Sequence, residues 1–248
     1  SITCNDPDNG TAVQGPGQVL IDLDAGEAIT CIFTNGPTPA PTSDVVYVGP
    51  RGTGSVGGVA YTNGDILRHD GHAWSMYFDG SDVGLKGVKA FTLLPDGGLL
   101  LSPAAATTLP GVGKVAPQDI VRFTPTSLGP NTAGAFRWYF DGSDVGLSTA
   151  GEAIDALSIN SAGQLVVSVS GAATVPGPGG TSVRAADEDL LAFTFSTSGE
   201  STSGTWSLHF DGSDVRLAVE DIDALWMDPA NGDLYLSVYN GFNVTTTS

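Results

Sequence analysis

The sequence predicts an all-β protein built from repeats, and three observations support this prediction. The octapeptide FDGSDVGL occurs at 78–85 and 140–147, and it recurs at 210–217 with Arg216 in place of the second glycine. The copies lie 62 and 70 residues apart, and such a period is typical of repeat architectures. The 34 Gly and 15 Pro residues favour short strands joined by turns. No window has the apolar spacing of an amphipathic helix.

The first predicted domain, residues 1–36, contains both cysteines, Cys4 and Cys31. Two cysteines in a small strand-rich segment predict a disulfide and an oxidising, extracytoplasmic compartment. Two reduced buried thiols are the alternative, and a metal site is disfavoured because no histidine or further cysteine lies nearby. Alternating apolar residues over 18–24 and 28–33, with DAGE between them, predict a β-hairpin.

The string IDLDAGEAITCIFTN, residues 21–35, resembles the last strands of the prealbumin-like (SpaA-like) sandwich domains of bacterial surface proteins. The resemblance depends on Cys31, Phe33 and the Thr-Asn pair that follows, together with the preceding hairpin. Such domains are longer, so the resemblance implies a partial sandwich that leans on a neighbouring domain or pairs with another chain. The Pro-rich segment PTPAPT at 37–42 then predicts a linker.

The remaining residues, 43–248, are predicted to form one repeat domain with three copies of the unit. Two apolar strands precede each octapeptide and a hairpin follows it, so each unit has about four strands. Four-stranded repeats are typical of propeller blades, and we predict a propeller-like array. Three full copies are fewer than the usual range of about four to eight blades. Three explanations remain for this low number. The chain is part of a longer array, a degenerate blade lies within 43–61, or the copies form open stacks that pair between subunits.

The extended repeat pattern, W.lyFDGSDVGL followed by DIDAL and G.L.LS, resembles a class of secreted bacterial repeat proteins. The likeness covers most of the repeat domain and implies an extracellular, surface-associated location without bringing a known activity. The first repeat departs from the pattern. It has VKAF at Val88–Phe91 where the other repeats have IDAL, and Lys86 and Lys89 stand where those repeats have acids.

The charge balance excludes some partners. Nine Lys and Arg face 27 Asp and Glu, for a formal net charge of −18. The acidic chain would repel nucleic acid and anionic membrane surfaces, since both are bound through basic patches. No run of 18 apolar residues occurs, so no membrane span is predicted.

The acidic residues recur with the repeat, and we predict that they shape turns, bind Ca²⁺, or do both. An Asp-Gly-Ser-Asp turn offers two carboxylates, a hydroxyl and a carbonyl, the oxygen ligands that calcium takes. Short Asp side chains also satisfy the backbone of a turn without any metal. Neither an EF-hand spacing nor a glycine-rich calcium repeat is present. The predicted ligands are Asp79, Asp82, Asp141, Asp144, Asp155, Asp211, Asp214 and Asp223.

Other residues give weaker signals. Trp74, Trp138 and Trp206 precede the three octapeptides, and we expect them to share one packing position in the array, with a carbohydrate-stacking role as the alternative. The stretch RHDGH at 68–72 groups two histidines with an aspartate in a predicted turn. No GxSxG, HExxH or Walker A motif occurs.

We therefore predict a non-enzymatic secreted or cell-surface repeat protein that acts in adhesion or extracellular assembly, filamentous assembly included. Its expected partner is a protein or further copies of itself, with a glycan as a second candidate. The alternative is a calcium-dependent hydrolase of the propeller type, a phosphoesterase or a glycosidase. Near-identical acidic positions in every repeat disfavour it, because an active site normally breaks repeat symmetry.

Overall fold

The structure is a computed structural model, and the chain divides into two compact units, residues 1–45 and 46–248. The predicted linker, 37–42, lies outside the described residues. Those are 2–5, 12–15, 18–21, 28–33 and 45–239.

The first unit is a set of short antiparallel strands. These are β1 (Ile2–Asn5), β2 (Ala12–Gly15), β3 (Gln18–Leu20) and β4 (Thr30–Phe33). Cys4 of β1 lies directly opposite Cys31 of β4, and the two form the predicted disulfide with their Cα atoms 4.0 Å apart. The turn of the predicted hairpin, 24–27, lies outside the described residues, and the described residues on its two sides do not pair with each other. In the described residues β3 pairs with β2, and the disulfide holds β4 against β1.

The second unit contains nineteen described strands. The first nine are β5 (Val46–Val48), β6 (Gly54–Val56), β7 (Val59–Tyr61), β8 (Ile66–His69), β9 (Trp74–Phe78), β10 (Val88–Leu93), β11 (Leu99–Pro103), β12 (Thr107–Leu109) and β13 (Gly113–Val115). The other ten are β14 (Ile120–Ser127), β15 (Ala133–Phe140), β16 (Ile154–Ile159), β17 (Leu165–Val169), β18 (Ala173–Pro176), β19 (Ser182–Ala185), β20 (Leu190–Thr197), β21 (Ser203–Phe210), β22 (Ile222–Met227) and β23 (Leu234–Val238).

These strands form four repeat sheets in chain order. The first repeat sheet has the order β5-β8-β9, and the second has β10-β11-β14-β15. The third has β16-β17-β20-β21, and the fourth has β22-β23. The two middle sheets thus contain the four strands that the repeat predicts. In the described residues the first sheet has three strands and the fourth has two.

Hairpins account for most of the pairing. The three predicted hairpins after the octapeptides are present as β10–β11, β16–β17 and β22–β23. Three small hairpins that the sequence did not predict lie between the second and third strands of the unit: β6–β7, β12–β13 and β18–β19.

Apolar cores lie between consecutive repeat sheets. One core joins the first and second sheets through Phe78 and Phe123, and another joins the second and third through Phe140 and Trp206. A third core joins the third and fourth sheets. Every residue of β11 and β17 is buried, because both strands lie in sheets that are covered on two faces. In β23, burial alternates from residue to residue.

No α-helix occurs in the described part of the chain. Short 3₁₀ helices are the only helical segments there, and each closes a turn. They cover Gly80–Val83, Ser143–Val145, Ala150–Glu152, Pro178–Gly180 and Gly212–Val215.

Candidate functional site

Each copy of the octapeptide ends a strand and forms the same turn. In the first copy Asp79 Oδ1 accepts hydrogen bonds from the Ser81 N–H at 3.0 Å and the Ser81 hydroxyl at 2.7 Å. An Asp side chain at this position satisfies a backbone donor at the start of a helical turn. The same two bonds recur between Asp141 and Ser143, and between Asp211 and Ser213.

A second aspartate, buried beneath the turn, explains the glycine of each Asp-Gly pair. Asp119 accepts from the Gly142 N–H at 3.0 Å and from the Ala116 N–H at 2.7 Å. A Cβ atom on Gly142 would collide with the carbonyl oxygen of Gln118, so the close approach requires glycine. Burial raises the pKa of Asp119, although the two N–H donors act in the opposite direction. Equivalent bonds join Asp65 to Gly80 and Asp189 to Gly212.

The second glycine of the octapeptide has a left-handed backbone. Gly84 and Gly146 have φ angles of 80° and 97°, and each ends its 3₁₀ helix. Arg216 occupies the same place in the third copy with φ 71°, where a side chain is strained. The substitution seen in the sequence thus retains the turn at a conformational cost.

The first two octapeptides also join their own repeat sheet to the next one. Thr202, in the β20–β21 turn of the third sheet, accepts from the Asp141 N–H at 2.9 Å, and its own N–H donates to the Asp144 carboxylate at 2.9 Å. The Thr202 hydroxyl donates to the Gly199 carbonyl at 2.7 Å, and the Gly199 N–H donates to the Tyr139 carbonyl at 2.9 Å. We call this set the Asp–Thr contact.

The first copy makes the same Asp–Thr contact with the second sheet. The Asp79 N–H donates to the Thr132 hydroxyl at 2.9 Å, and the Thr132 N–H donates to Asp82 at 2.8 Å. The Gly129 N–H donates to the Tyr77 carbonyl at 2.8 Å. Thr132 and Thr202 are both buried, although they lie in loops. Two of the three copies therefore link consecutive sheets through one set of bonds.

The remaining predicted ligands, Asp155 and Asp223, lie on the first strands of the third and fourth sheets. Asp155 is 2% exposed and accepts from the Ser168 hydroxyl at 2.7 Å. Asp223 accepts from the Ser237 hydroxyl at 2.6 Å and forms an ion pair with Arg51 at 3.1 Å. The structure thus separates these two from the turn aspartates and gives each of them partners within the chain.

Further carboxylates lie near β16 and β22. Burial, followed by repulsion from Asp155 and Asp187, raises the pKa of Asp221 to about 6, while Arg51 and Lys89 act in the opposite direction. Asp221 Oδ1 is buried without a hydrogen-bond partner in the described residues. Burial is also the main cause that raises the pKa of Asp155. The repeat pattern of the sequence predicts no role for Asp187 or Asp221.

The turn aspartates offer a limited donor set for calcium. In the first two copies, one oxygen of each turn carboxylate already accepts a hydrogen bond from the chain. Calcium takes about six to eight oxygens. Within the described residues, no group of three or more His, Cys, Asp or Glu side chains is placed to hold a metal ion. Carbonyls and water would have to complete the shell, and calcium binding stays a prediction.

The RHDGH stretch closes a turn through its aspartate, and the tryptophans differ in position. Asp70 accepts from the His72 and Ala73 N–H groups, which lower the pKa of Asp70 and close the β8–β9 turn. The prediction of one shared tryptophan position is wrong, because Trp138 pairs across from Val121 whereas Trp206 pairs across from Phe193. Trp74 is the residue that corresponds to Trp206, across from His69.

Sequence reasoning missed the threonines that complete the Asp–Thr contacts. A signal was present, because Gly129–Thr132 and Gly199–Thr202 both have the form Gly-x-x-Thr. The surrounding loops differ otherwise. The spacing therefore indicates a contact only once the structure places it beside the octapeptide of the preceding sheet.

No protein-family model, curated protein or solved structure matches this chain. Of the described residues, none belongs to a helix long and apolar enough to cross a membrane. The case for a function therefore depends on the contacts within the chain.

Proposed function

We propose that this chain is a non-enzymatic repeat scaffold of the cell surface or the extracellular space, acting in adhesion or in assembly. The observation that carries the proposal is the Asp–Thr contact. The most repeated acidic residues of the chain bind backbone and hydroxyl donors of their own turn and of the next sheet. Residues used in this way stabilise a stack of sheets, and identical repetition follows from identical packing.

The arrangement of the sheets supports a propeller-like array as the form of the scaffold. The first strands of the second, third and fourth sheets, β10, β16 and β22, contact one another. Arg51, which follows β5 of the first sheet, pairs with Asp223 of the fourth and lies 4.4 Å from the Tyr239 ring centroid. Contacts between the first and last sheets are those that a ring of sheets requires.

Surface chemistry supports an extracytoplasmic role in recognition. The Cys4–Cys31 disulfide is compatible with an oxidising compartment. Trp226 and Tyr235 are 49% and 55% exposed, and their ring centroids lie 5.2 Å apart on the fourth sheet. Exposed aromatic rings suit either a protein partner or the apolar face of a sugar.

The test is a binding assay of the oxidised chain on immobilised glycans and on immobilised copies of itself, beside a Trp226→Ala, Tyr235→Ala double variant. Saturable binding that the double variant loses would support the proposal. A chain that binds neither surface and stays monomeric at all concentrations would contradict it. A matched variant of the exposed Leu208, Leu208→Ala, controls for general loss of apolar surface.

Calcium stabilisation is a separate part of the proposal. Calcium that binds only the folded chain would raise its melting temperature. We expect Tm to fall when EDTA replaces calcium, and to fall less in an Asp211→Asn variant. An identical Tm in EDTA and in calcium would show that calcium does not stabilise the chain.

One observation favours the alternative, a hydrolase of the propeller type. Asp221 has a pKa of about 6, raised by burial and by its acidic neighbours, and a carboxyl group that titrates near neutrality can exchange protons in catalysis. Assays with generic phosphoester and glycoside substrates test this role. Turnover that Asp221→Asn abolishes and Asp141→Ala leaves intact would support a hydrolase and overturn the scaffold proposal.

A further inference from the structure

The third octapeptide has the same surface that the first two octapeptides use to contact the next sheet. In those copies the Asp–Thr contact occupies the first aspartate's N–H and the second aspartate's carboxylate. In the third copy Asp211 and Asp189 keep the bonds that shape the turn. Among the described residues no hydrogen bond reaches the Asp211 N–H or the Asp214 carboxylate. The turn is therefore formed, but the Asp211 N–H and the Asp214 carboxylate have no hydrogen-bond partner among the described residues.

Apolar exposure follows the same difference. Val145, in the second copy, is 5% exposed, and its carbonyl accepts from the Trp206 indole N–H at 2.9 Å. Val215, the equivalent residue of the third copy, is 42% exposed. Phe140 is fully buried, whereas Phe210 is only half-buried. The third copy thus exposes the surface that the next sheet covers in the second copy.

The edge of β23 extends this surface. In the middle sheets the second strand pairs with the first and the third: β11 lies between β10 and β14, and β17 lies between β16 and β20. In the described residues β23 pairs with β22 alone. Its residues Leu234–Leu236 correspond to Leu165–Val167, which pair with β20 in the third sheet. Unpaired N–H and C=O groups along such an edge are ready to accept another strand.

We propose that the third copy and the edge of β23 form one docking surface for a β-hairpin with a Gly-x-x-Thr turn, supplied by a further repeat of this type. This inference goes beyond the scaffold role and does not depend on adhesion. The hairpin's first strand pairs with β23, as β20 pairs with β17. Its turn places the threonine between the Asp211 N–H and the Asp214 carboxylate, and its second strand covers Val215.

A second copy of this chain is a poor occupant. Its β14–β15 and β20–β21 turns are engaged in internal Asp–Thr contacts. The turn of its first sheet, between β8 and β9, has no threonine, and Asp70 satisfies the donors of that turn itself. In a further repeat with a Gly-x-x-Thr turn, the threonine is present and is not engaged in an internal contact.

The test is an extended chain that carries such a hairpin. A duplicate of 171–217 is joined after Tyr239 in place of 240–248. The join preserves register, because the Ser170 and Tyr239 N–H groups make equivalent bonds, to the Ala153 and Asp221 carbonyls. The control is the same extended chain with valine at the duplicate of Thr202, and amide hydrogen exchange is read at Asp211.

We expect the Asp211 amide to exchange at least about tenfold more slowly in the extended chain, and the valine control to lose that protection. The Asp141 amide, protected by Thr202, should stay slow in every variant and reports that the stack is folded. Asp211 exchange that is equal in the extended chain and the valine control, with Asp141 still protected, would overturn the proposal. So would concentration-dependent Asp211 protection in the unextended chain, because the occupant would then be a second copy.

Asp214→Asn gives an independent reading. We expect less than about a twofold change in the unfolding equilibrium of the unextended chain, and about tenfold destabilisation of the extended one, since hydrogen bonds to charged groups are worth this much. An equal effect in both chains would also contradict the proposal. None of these measurements depends on ligand binding or turnover, so their failure would leave the scaffold role standing.

Discussion

Replacing Thr202 by valine tests whether the Asp–Thr contact stabilises the stack. Valine keeps the shape of threonine but removes the hydroxyl, which accepts from the Asp141 N–H and donates to the Gly199 carbonyl. Thr202 is 4% exposed, so water has little access to replace these bonds. Leaving one buried donor unsatisfied costs about 1–3 kcal/mol. We expect about 1.5 kcal/mol, which is a fall in Tm of about 3–6 °C for a unit of this size.

The assay is calorimetry combined with urea unfolding followed by tryptophan fluorescence. Thr202→Ser retains the hydroxyl and should recover most of the loss. Thr205→Val, at an exposed position of β21 three residues after Thr202, should stay within about 0.5 kcal/mol of the parent. If Thr202→Val were no more harmful than Thr205→Val, the hydroxyl would contribute nothing to the joint between the sheets, and the reasoning from the contact would fail.

Three further predictions concern strain, pH and the disulfide. Arg216→Gly should stabilise the chain by about 1 kcal/mol, because φ is 71° there, and Gly146→Arg should do the reverse; thermal melts that rank them otherwise would refute the strain. The pKa of Asp221 is about 6 in the folded chain, above the ordinary value of 3.8. The contribution of its protonated form to stability is therefore full below about pH 4 and is lost as pH rises through 6. Asp221→Asn should therefore raise Tm at pH 7.5 and leave it unchanged at pH 4, and a gain of equal size at both would contradict this assignment. Reducing the Cys4–Cys31 bond, which closes a separation of 27 residues, should destabilise the first unit by about 3–4 kcal/mol, measured by amide exchange in β1 and β4.

Much of the repeat unit follows from the sequence because its signals are local. The first glycine of FDGSDVGL allows a close backbone approach, and the second has a left-handed conformation. The first aspartate accepts a hydrogen bond from the serine two residues later. Period-2 apolar patterns with short turns between them predict antiparallel hairpins, and the structure confirms β10–β11, β16–β17 and β22–β23. Such features depend on neighbours within a few residues, so sequence alone determined them.

Only the tertiary structure decided which distant groups meet. Thr132 and Thr202 bind Asp82 and Asp144 across 50 and 58 residues, and nothing near either threonine in the chain indicates that partner. Asp155 and Asp223 occupy equivalent places in the repeat and each accepts from a serine, yet only Asp223 also pairs with Arg51, 172 residues away. Stacking order determines these environments. The second and third sheets cover the octapeptides of the sheets before them, whereas Val215 of the third octapeptide is exposed, so a residue's partner depends on which sheet lies next.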